Sequence, residues 1–220
     1  KSRLRSTMKI EKFIFNPFHE NTYLVYDEVT KDAVVIDCGC YTQKEKNTLL
    51  SFINQHQLTI KYVLNTHLHI DHIFGNKFLF SQFGIEPQAH KGDIELLERM
   101  QEQARAFGLS LKEKEQPIGN LKKEKNSLTI GESSIQFIHV PGHSLGSLCI
   151  YFPKEKWLFS GDVLFLRCIG RTDLPGGNYA QLIDGIHNKL LVLPKETRVF
   201  AGHGFETTIG YEQENNPFLC

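Results

Sequence analysis

The chain has 220 residues, in which 25 lysines and arginines balance 25 aspartates and glutamates. This balance excludes the strong positive field that attracts nucleic acid or an anionic membrane, so we expect a small-molecule substrate and neither of those partners. No apolar run approaches the roughly 20 residues that span a bilayer, and the start lacks the apolar core of a secretory signal, so we expect a cytoplasmic protein.

A chain of this length can build one well-packed core, and we predict a single domain over residues 8–220. Residues 1–7 precede a strand-like segment that begins at Met8, and we expect them to be a disordered start or a cloning remnant. The oligomeric state stays open at this level.

The cysteines are odd in number and form no C-x-x-C pair, which argues against a disulfide framework and favours reduced, mostly buried thiols. They are Cys38, Cys40, Cys149, Cys168 and Cys220. The first two, in VVIDCGC, have two interpretations: soft metal ligands, or small buried residues at a strand end. The second is favoured because no partner cysteines accompany them.

The first half of the sequence alternates strand-like segments with amphipathic ones. Apolar and β-branched runs predict strands over residues 9–15, 22–27, 32–38 and 60–66. Apolar residues at helical spacing predict helices over residues 41–57, 72–84 and 93–108, and a glycine closes each of the last two. The charged stretch 111–128 mixes acids with bases, so we interpret it as a solvated excursion and not as a binding patch.

The second half repeats this alternation. It predicts strands over residues 133–140, 147–152, 156–162 and 197–203, and a helix over residues 179–193 that Pro194 closes. Two strand-rich halves, each followed by helices, indicate sheets that pack face to face with helices outside.

Metal-capable side chains recur where predicted strands end, which is where sites assemble in such folds. The segment THLHIDH follows one strand, and VPGHS, FSGD and FAGHG follow three others. Glycines 142, 161, 202 and 204 flank these residues and let the backbone turn tightly or approach an ion. The candidate ligands are His67, His69, Asp71, His72, His143, Asp162 and His203.

Seven ligands are too many for one four- or five-coordinate ion and suit two ions. Two neighbouring ions need a bridging ligand, and the two oxygens of a carboxylate can serve. Asp162 is the natural bridge because it stands alone in the sequence. The segment THLHIDH considered by itself is also compatible with one ion, or with a polar loop that binds none.

The motifs HLHIDH, PGHS, SGDVLF and AGHG, in that order, closely resemble those of the metallo-β-lactamase-fold hydrolases, and especially of their glyoxalase II-like branch, the hydroxyacylglutathione hydrolases. The segment IGRTDLPGGN, residues 169–178, resembles the small one-domain members. The resemblance implies an α/β (α+β) fold, a four-layered αββα sandwich. It also implies two divalent metal ions, with zinc expected and iron or manganese as alternatives.

By this resemblance the first ion would be bound by His67, His69 and His143, and the second by Asp71, His72 and His203. Asp162 would bridge them, and we assign Asp71 and Asp162 to the catalytic set as well. In β-lactamases of this fold a cysteine often stands in place of the bridging aspartate, so antibiotic hydrolysis is not expected.

Two ions that share a water make it a hydroxide near neutral pH, because even one zinc lowers its pKa to about 7. A thiolate leaves without a strong general acid, since a thiol has a pKa of about 8.5. We therefore predict hydrolysis of an acyl thioester, such as S-lactoylglutathione, by a metal-bridging hydroxide.

Glutathione itself stays in question. The long members of the branch carry a carboxyl-terminal helical domain that supplies cations to glutathione, whereas the tail after Gly204 contains no lysine or arginine. Arg171 is the candidate substrate-binding residue and Arg167 is its neighbour, although Arg171 can equally make a structural contact to Asp173.

Three alternatives accompany the thioesterase prediction. One is an iron-dependent persulfide dioxygenase of the same fold with a mononuclear site. The second is a lactone or phosphodiester hydrolase that uses the same ions. The third is a non-catalytic metal-binding protein, against which the complete ligand set argues.

Overall fold

The computed structural model describes residues 7–111 and 127–219, and its first sheet contains four strands. They are β1 Met8–Phe15, β2 Glu20–Asp27, β3 Asp32–Ile36 and β4 Thr59–Leu64, and they lie in chain order. The first three pair antiparallel, whereas β3 and β4 pair parallel. All eight residues of β2 are buried, because both faces of this sheet are covered.

The second half of the chain forms a six-stranded sheet and a separate two-stranded hairpin. The strands are β5 Leu128–Ile130, β6 Ser133–His139, β7 Leu148–Phe152, β8 Trp157–Gly161, β9 Leu164–Phe165, β10 Cys168–Ile169, β11 Arg198–Ala201 and β12 Thr207–Thr208. The large sheet has the order β12-β11-β8-β7-β6-β5, and β9 pairs with β10. Strands β8 and β11 are parallel and end side by side, with Gly161 opposite Ala201.

The two sheets pack face to face over one apolar layer. Val25, Ile36 and Leu64 from the first sheet meet Ile150 and Phe159 from the second, and all are buried. Burial of each such side chain contributes roughly 1.5–3 kcal/mol, so this layer is a principal source of stability.

Helices cover both outer faces of the sheet pair. They are α1 Gln43–Gln55, α2 Asn76–Phe83, α3 Ile94–Glu98, α4 Met100–Ala106, α5 Tyr179–Gly185 and α6 Ile209–Asn215. Leu49 of α1 and Leu79 of α2 pack on the first sheet, and Leu182 of α5 and Ile209 of α6 pack on the second. The predicted four-layered αββα sandwich is confirmed. No helix in residues 7–111 or 127–219 is long and apolar enough to span a bilayer.

The eight predicted strands are confirmed with ends that move by no more than two residues, and α1 is confirmed with a capping box between Thr42 and Glu45. The sequence did not predict β5, the hairpin of β9 and β10, β12 or α6. Residues 1–6, 112–126 and 220 lie outside the described ranges, so the predictions for the start, for most of the charged stretch and for the last cysteine are not addressed.

Two predicted helices differ from the structure. The helix expected from residue 72 begins at Asn76, because a 3-10 turn over Ile70–His72 precedes it and the Gly75 amide donates to the Cys38 carbonyl at 2.8 Å. The helix expected over residues 93–108 is divided into α3 and α4, since α4 turns so that Met100 packs over the loop after β4.

The helix expected over residues 179–193 is helical only as far as Leu190. Its second part, Ile186–Leu190, is a π-helical turn, in which Ile186 and Leu190 are buried against the second sheet. The wider turn lets both side chains face the sheet, which periodicity of 3.6 residues does not anticipate.

Candidate metal centre

The candidate ligands meet at one edge of the sandwich, where four strands end. The loop after β4 carries residues 67–72, and the loop after β6 carries His143. Asp162 directly follows β8, and His203 lies two residues after the end of β11, which is parallel to β8. Because parallel strands in register end together, the last two are brought close although 41 positions separate them in sequence. The structure therefore brings together all seven side chains.

The first cluster consists of His67, His69 and His143, whose ring nitrogens lie within 4.8 Å of one another. His69 Nδ1 and His143 Nε2 are 2.9 Å apart, so both rings are directed to the same point. His67 and His143 are almost completely buried. Three imidazoles that converge in this way suit a first-row divalent ion.

The second cluster consists of Asp71, His72 and His203. Asp71 Oδ2 lies 3.2 Å from His203 Nε2 and 3.5 Å from His72 Nε2. The short 3-10 turn over Ile70–His72 places Asp71 and His72 next to each other, and it separates them from the two histidines of the first cluster in the same loop. One rigid loop thereby supplies both clusters.

Asp162 lies between the clusters. Its Oδ2 is 3.7 Å from His143 Nε2 of the first cluster and 3.7 Å from His203 Nε2 of the second. Its Oδ1 is 3.5 Å from His72 Nε2. A carboxylate that faces both clusters has the geometry that a bridging ligand requires.

Several buried polar atoms of the site have no hydrogen-bond partner within the described part of the chain. They are Nε2 of His67, Nε2 of His72 and Oδ1 of Asp162. Buried polar atoms are rarely left without a partner, and all three point to the space where ions would bind. At Gly202 a Cβ would lie 2.3 Å from Asp162 Oδ1, so only glycine leaves this space open. The donor set and its unpaired atoms fit two divalent ions.

In four of the histidines, Nδ1 faces away from the site and has a hydrogen-bond partner; two of these partners are backbone carbonyls. His143 Nδ1 lies 2.8 Å from the Arg171 carbonyl, and His203 Nδ1 lies 3.1 Å from the Phe18 carbonyl. Because a carbonyl only accepts, each Nδ1 carries the proton and each Nε2 presents its lone pair to the site.

Asp37 performs the same task for the loop after β4. Its Oδ2 lies 3.0 Å from His72 Nδ1 and accepts from Thr66 Oγ1 at 2.6 Å, and its Oδ1 accepts from the Thr66 amide at 2.7 Å. Thr66 Oγ1 is in turn 3.0 Å from His67 Nδ1. Asp37 also approaches His67 and His72 closely enough to be a ligand. Both of its oxygens are occupied by these hydrogen bonds, so we interpret it as a support.

The pKa values of two imidazoles and of both carboxylates suit a metal site, whereas at His72 and His203 the nearby carboxylates outweigh burial and raise the pKa. Burial lowers the pKa of His67 well below its ordinary value, and burial beside another imidazole lowers the pKa of His69 to about 3. Burial alone would raise the pKa of Asp162 and of Asp71, but His72 and the other nearby histidines together outweigh it, and both pKa values lie below the ordinary one. Neutral imidazoles and ionised carboxylates are the forms that bind divalent ions.

A second supporting carboxylate, Asp93, connects two ligand loops. Its Oδ2 accepts from the Leu68 amide at 3.1 Å and from Ser144 Oγ at 2.8 Å, and its Oδ1 accepts from the Gly146 amide at 2.6 Å. Leu68 separates two ligands of the first cluster, and Ser144 follows the third. Asp93 therefore fixes the spacing within that cluster.

Sequence reasoning missed Asp37 and Asp93. The only local signal for Asp37 was a carboxylate at the end of an apolar strand, the feature that identified Asp162. Asp93 gave no signal, because it resembled the first residue of a surface helix.

The cysteines behave largely as expected: Cys38, Cys40 and Cys149 are free and buried, and Cys168 is free but exposed. Cys38 and Cys40 pack in the apolar layer between the first sheet and its helices, not among the candidate ligands. The interpretation as small buried residues is therefore the one that the structure shows.

The sequence matches the metallo-beta-lactamase superfamily over residues 15–203. It is 37% identical over 213 residues to the hydroxyacylglutathione hydrolase GloC of Haemophilus influenzae, which covers 96% of this chain and 98% of that protein.

Two solved structures are similar over almost their whole length. The B3 metallo-β-lactamase BLEG-1 superposes with a TM-score of 0.85 at 38% identity, over 96% of this chain and 99% of that one. TTHA1623 in a di-iron-bound form superposes with a TM-score of 0.83 at 36% identity, over 95% of this chain and 100% of that one. Sequence and fold agree, and the chain belongs to the metallo-β-lactamase superfamily.

Proposed function

We propose that this protein is a binuclear metal-dependent hydrolase that cleaves acyl thioesters. The observation that carries the proposal is the position of Asp162, whose carboxylate faces ring nitrogens of both clusters at 3.5–3.7 Å. In a mononuclear site one of the two clusters would have no purpose, and its buried polar atoms would remain unpaired.

The residues divide between the two ions as the family resemblance implies. His67, His69 and His143 would hold the first ion, and Asp71, His72 and His203 would hold the second. Asp162, which faces both clusters, would serve as the shared ligand. Bound divalent ions supply an activated water near neutral pH and polarise a carbonyl.

The chain's own groups prepare this chemistry in two ways. The hydrogen bonds that Nδ1 of His143 and Nδ1 of His203 donate to backbone carbonyls fix the rings before substrate arrives, so no reorganisation is needed during the reaction. The carboxylates of Asp71 and Asp162 offset the positive charge of two ions in a largely buried site.

A thioester suits this site because its leaving group needs little protonation, since a thiol has a pKa of about 8.5. Three carboxylates line the cavity over the clusters: Asp71, Asp162 and Glu102. The first two contact histidines of the clusters, and Glu102 is paired with Arg99, so none of the three is left to protonate a leaving group. The relationship to GloC, a hydroxyacylglutathione hydrolase, supports the same class of substrate.

Zinc is the metal we propose. The di-iron form of TTHA1623 makes iron the alternative, and the ligand set of imidazoles and carboxylates accepts either ion. Metal analysis of the purified protein decides between them.

A second candidate activity is β-lactam hydrolysis, which the aspartate at position 162 argued against and which the similarity to BLEG-1 favours. Both reactions begin with attack on a strained or activated carbonyl, so one site can perform them. The two differ in the leaving group, because a β-lactam amine needs a proton and a thiolate does not. A panel of substrates separates them.

The test measures metal content by mass spectrometry on the same sample that is assayed with an acyl thioester, a lactone, a phosphodiester and a β-lactam. We expect two ions per chain and a preference for the thioester. Asp162→Ala should lower kcat/KM by at least 100-fold with an unchanged circular dichroism spectrum. Asp184→Ala, at an exposed position on α5, is the matched control and should retain full activity. Full activity of Asp162→Ala would contradict the binuclear assignment.

A further inference from the structure

A cavity of about 400 Å³ opens directly above the two clusters. Its floor contains five of the seven candidate ligands. Its size lies within the roughly 300–1,000 Å³ of small-molecule sites. Its walls carry apolar side chains from three parts of the chain, namely Phe18, Leu96, Ala106, Phe107, Leu174 and Pro175.

Two aromatic rings form one wall of this cavity. Phe18 and Phe107 meet edge to face, with centroids 5.1 Å apart and planes at 83°. Phe107 lies at the end of α4 and is 52% exposed, so half of a large apolar side chain is left open to solvent beside the clusters. An apolar surface that is concave and continuous with reactive groups is typical of a ligand site.

The cations of the cavity are already engaged. Arg99 and Arg171 are its basic side chains apart from the histidines. Arg99 donates twice to Glu102, at 2.9 and 3.0 Å, and Arg171 donates twice to Asp173, at 2.8 Å for both contacts. Guanidinium forks are the strongest means of binding carboxylates, and here both forks are filled by the protein itself.

Arg167, the other arginine that the sequence suggested near the site, does not line this cavity. Its backbone amide donates to Glu212 of α6 at 2.9 Å. The tail that follows Gly204 packs α6 on the outer face of the second sheet through Ile209. The described chain therefore offers this cavity apolar surface and no uncommitted guanidinium.

We infer that the cavity binds an apolar group, an aliphatic chain or an aromatic ring, attached directly to the thioester, and that Phe107 sets this preference. The inference rests on the proposed thioesterase function. The selectivity among thioester substrates would then come from burial of an apolar group, and not from binding of the carboxylates of glutathione.

Two series of thioesters test the inference and distinguish the acyl side from the thiol side. In one, the acyl group of an N-acetylcysteamine thioester grows from acetyl to butyryl and hexanoyl. In the other, an acetyl group is carried by alkanethiols of increasing length. We expect kcat/KM to rise about fourfold per methylene in one series, as burial of a methylene predicts, and to exceed the value for S-lactoylglutathione. The series that responds identifies the side that enters the cavity.

The variant Phe107→Ala should remove most of this dependence on chain length. Phe218→Ala, which truncates a phenylalanine of similar exposure that does not line the cavity, should retain it. Phe107→Leu, which keeps an apolar side chain, should restore part of the dependence. It also guards against a folding defect in the alanine variant.

Binding is measured separately from turnover. Calorimetry with the metal-loaded protein compares S-hexyl and S-methyl thioethers of N-acetylcysteamine, which cannot be hydrolysed, and we expect the hexyl compound to bind at least tenfold more tightly. A flat response in both substrate series, equal binding of the two thioethers, or a faster reaction with S-lactoylglutathione than with every apolar thioester would overturn the inference. If no thioester is cleaved but the thioethers still bind by length, the proposed function fails and the apolar site stands.

Discussion

Asp37 Oδ2 lies 3.0 Å from Nδ1 of His72, and both side chains are buried. The pair joins the end of β3 to the loop after β4, because these strands are parallel neighbours with Ile36 opposite Leu64. The carboxylate determines which nitrogen of His72 carries the proton, and Nε2 is left free to bind an ion.

We therefore predict that Asp37→Asn weakens metal binding at the second cluster. An asparagine offers one acceptor oxygen in place of two, so its NH2 group opposes either the Thr66 amide or the Nδ1 proton of His72. The first case weakens the loop that carries the ligands, and the second favours the tautomer with a proton on Nε2. Loss of such a support typically costs about 10–100-fold in metal affinity. Competition with a chromophoric chelator measures the change, and metal content should fall towards one ion per chain.

The matched control for this substitution is Asp32→Asn at the other end of β3. Asp32 is partly exposed and makes a long contact of 3.9 Å with Lys61. Its substitution should leave both ions in place. Equal affinities in the two variants would show that Asp37 does not support the centre.

Much of the fold followed from the sequence because strand periodicity, helical spacing of apolar residues and glycine stops are local signals. The supporting carboxylates could not be predicted in the same way. Asp37 contacts a residue 35 positions away, and Asp93 contacts Ser144 at a separation of 51 positions. Such contacts depend on which strands are neighbours, which no short window reveals.

The candidate ligands were predictable for a related reason. Each follows a strand, and the strand ends are local features even though their meeting point is not. Their roles as ligands, the catalytic assignment of Asp71 and Asp162, and the substrate role of Arg171 stay predictions. The observed pairing of Arg171 with Asp173 agrees with the structural alternative for that side chain.

A second prediction concerns Asp93, which is buried and accepts from three donors on two loops. Asp93→Ala leaves the Leu68 and Gly146 amides without this acceptor and removes one of the two side-chain partners of the Ser144 hydroxyl. A buried donor that loses its partner costs about 1–3 kcal/mol, so we expect a loss of roughly 2–5 kcal/mol in the free energy of unfolding.

Urea denaturation measures this loss, and metal analysis should show weaker binding at the first cluster, whose spacing Asp93 fixes. Asp93→Asn keeps one carbonyl acceptor and should lose less than the alanine variant. A surface aspartate such as Asp184 provides the baseline. An alanine variant as stable as the wild type would contradict the role of Asp93 as a link between the loops.

Removal of metal should lower the melting temperature. An ion that binds only the folded chain stabilises it by about 4 kcal/mol when the free ion is about 1,000 times its Kd. For a chain of this size that corresponds to a shift in Tm of about 8–16 °C for each ion. Chelation should therefore lower Tm by this amount, and zinc should restore it whereas magnesium should not, because imidazole ligands disfavour magnesium.

Circular dichroism melts with and without chelator make this measurement. The Asp162→Ala protein should respond less to chelation than the wild type, because it has lost a carboxylate that faces both clusters. An unchanged Tm of the wild type after verified metal removal would show that the ions do not stabilise the folded state.

The last prediction concerns Gly142, which precedes His143 and has a φ of +133°, a conformation that residues with a Cβ rarely adopt. A Cβ at this position would lie 2.5 Å from the backbone nitrogen of Leu182, so α5 would have to move as well. Strain and overpacking each cost about 1–3 kcal/mol, and we expect Gly142→Ala to lose about 2–5 kcal/mol in the free energy of unfolding, measured by urea denaturation.

Gly84→Ala is the matched control for Gly142→Ala. Gly84 also has a positive φ, of +68°, but among the described residues no atom lies within 4 Å of the point that its Cβ would occupy. The control should lose only about 1–2 kcal/mol, the cost of a left-handed residue alone. Equal losses in the two variants would show that contact with α5 does not contribute. A larger loss for Gly142→Ala, together with weaker metal binding at the first cluster, would show that close packing on α5 holds the loop that carries His143.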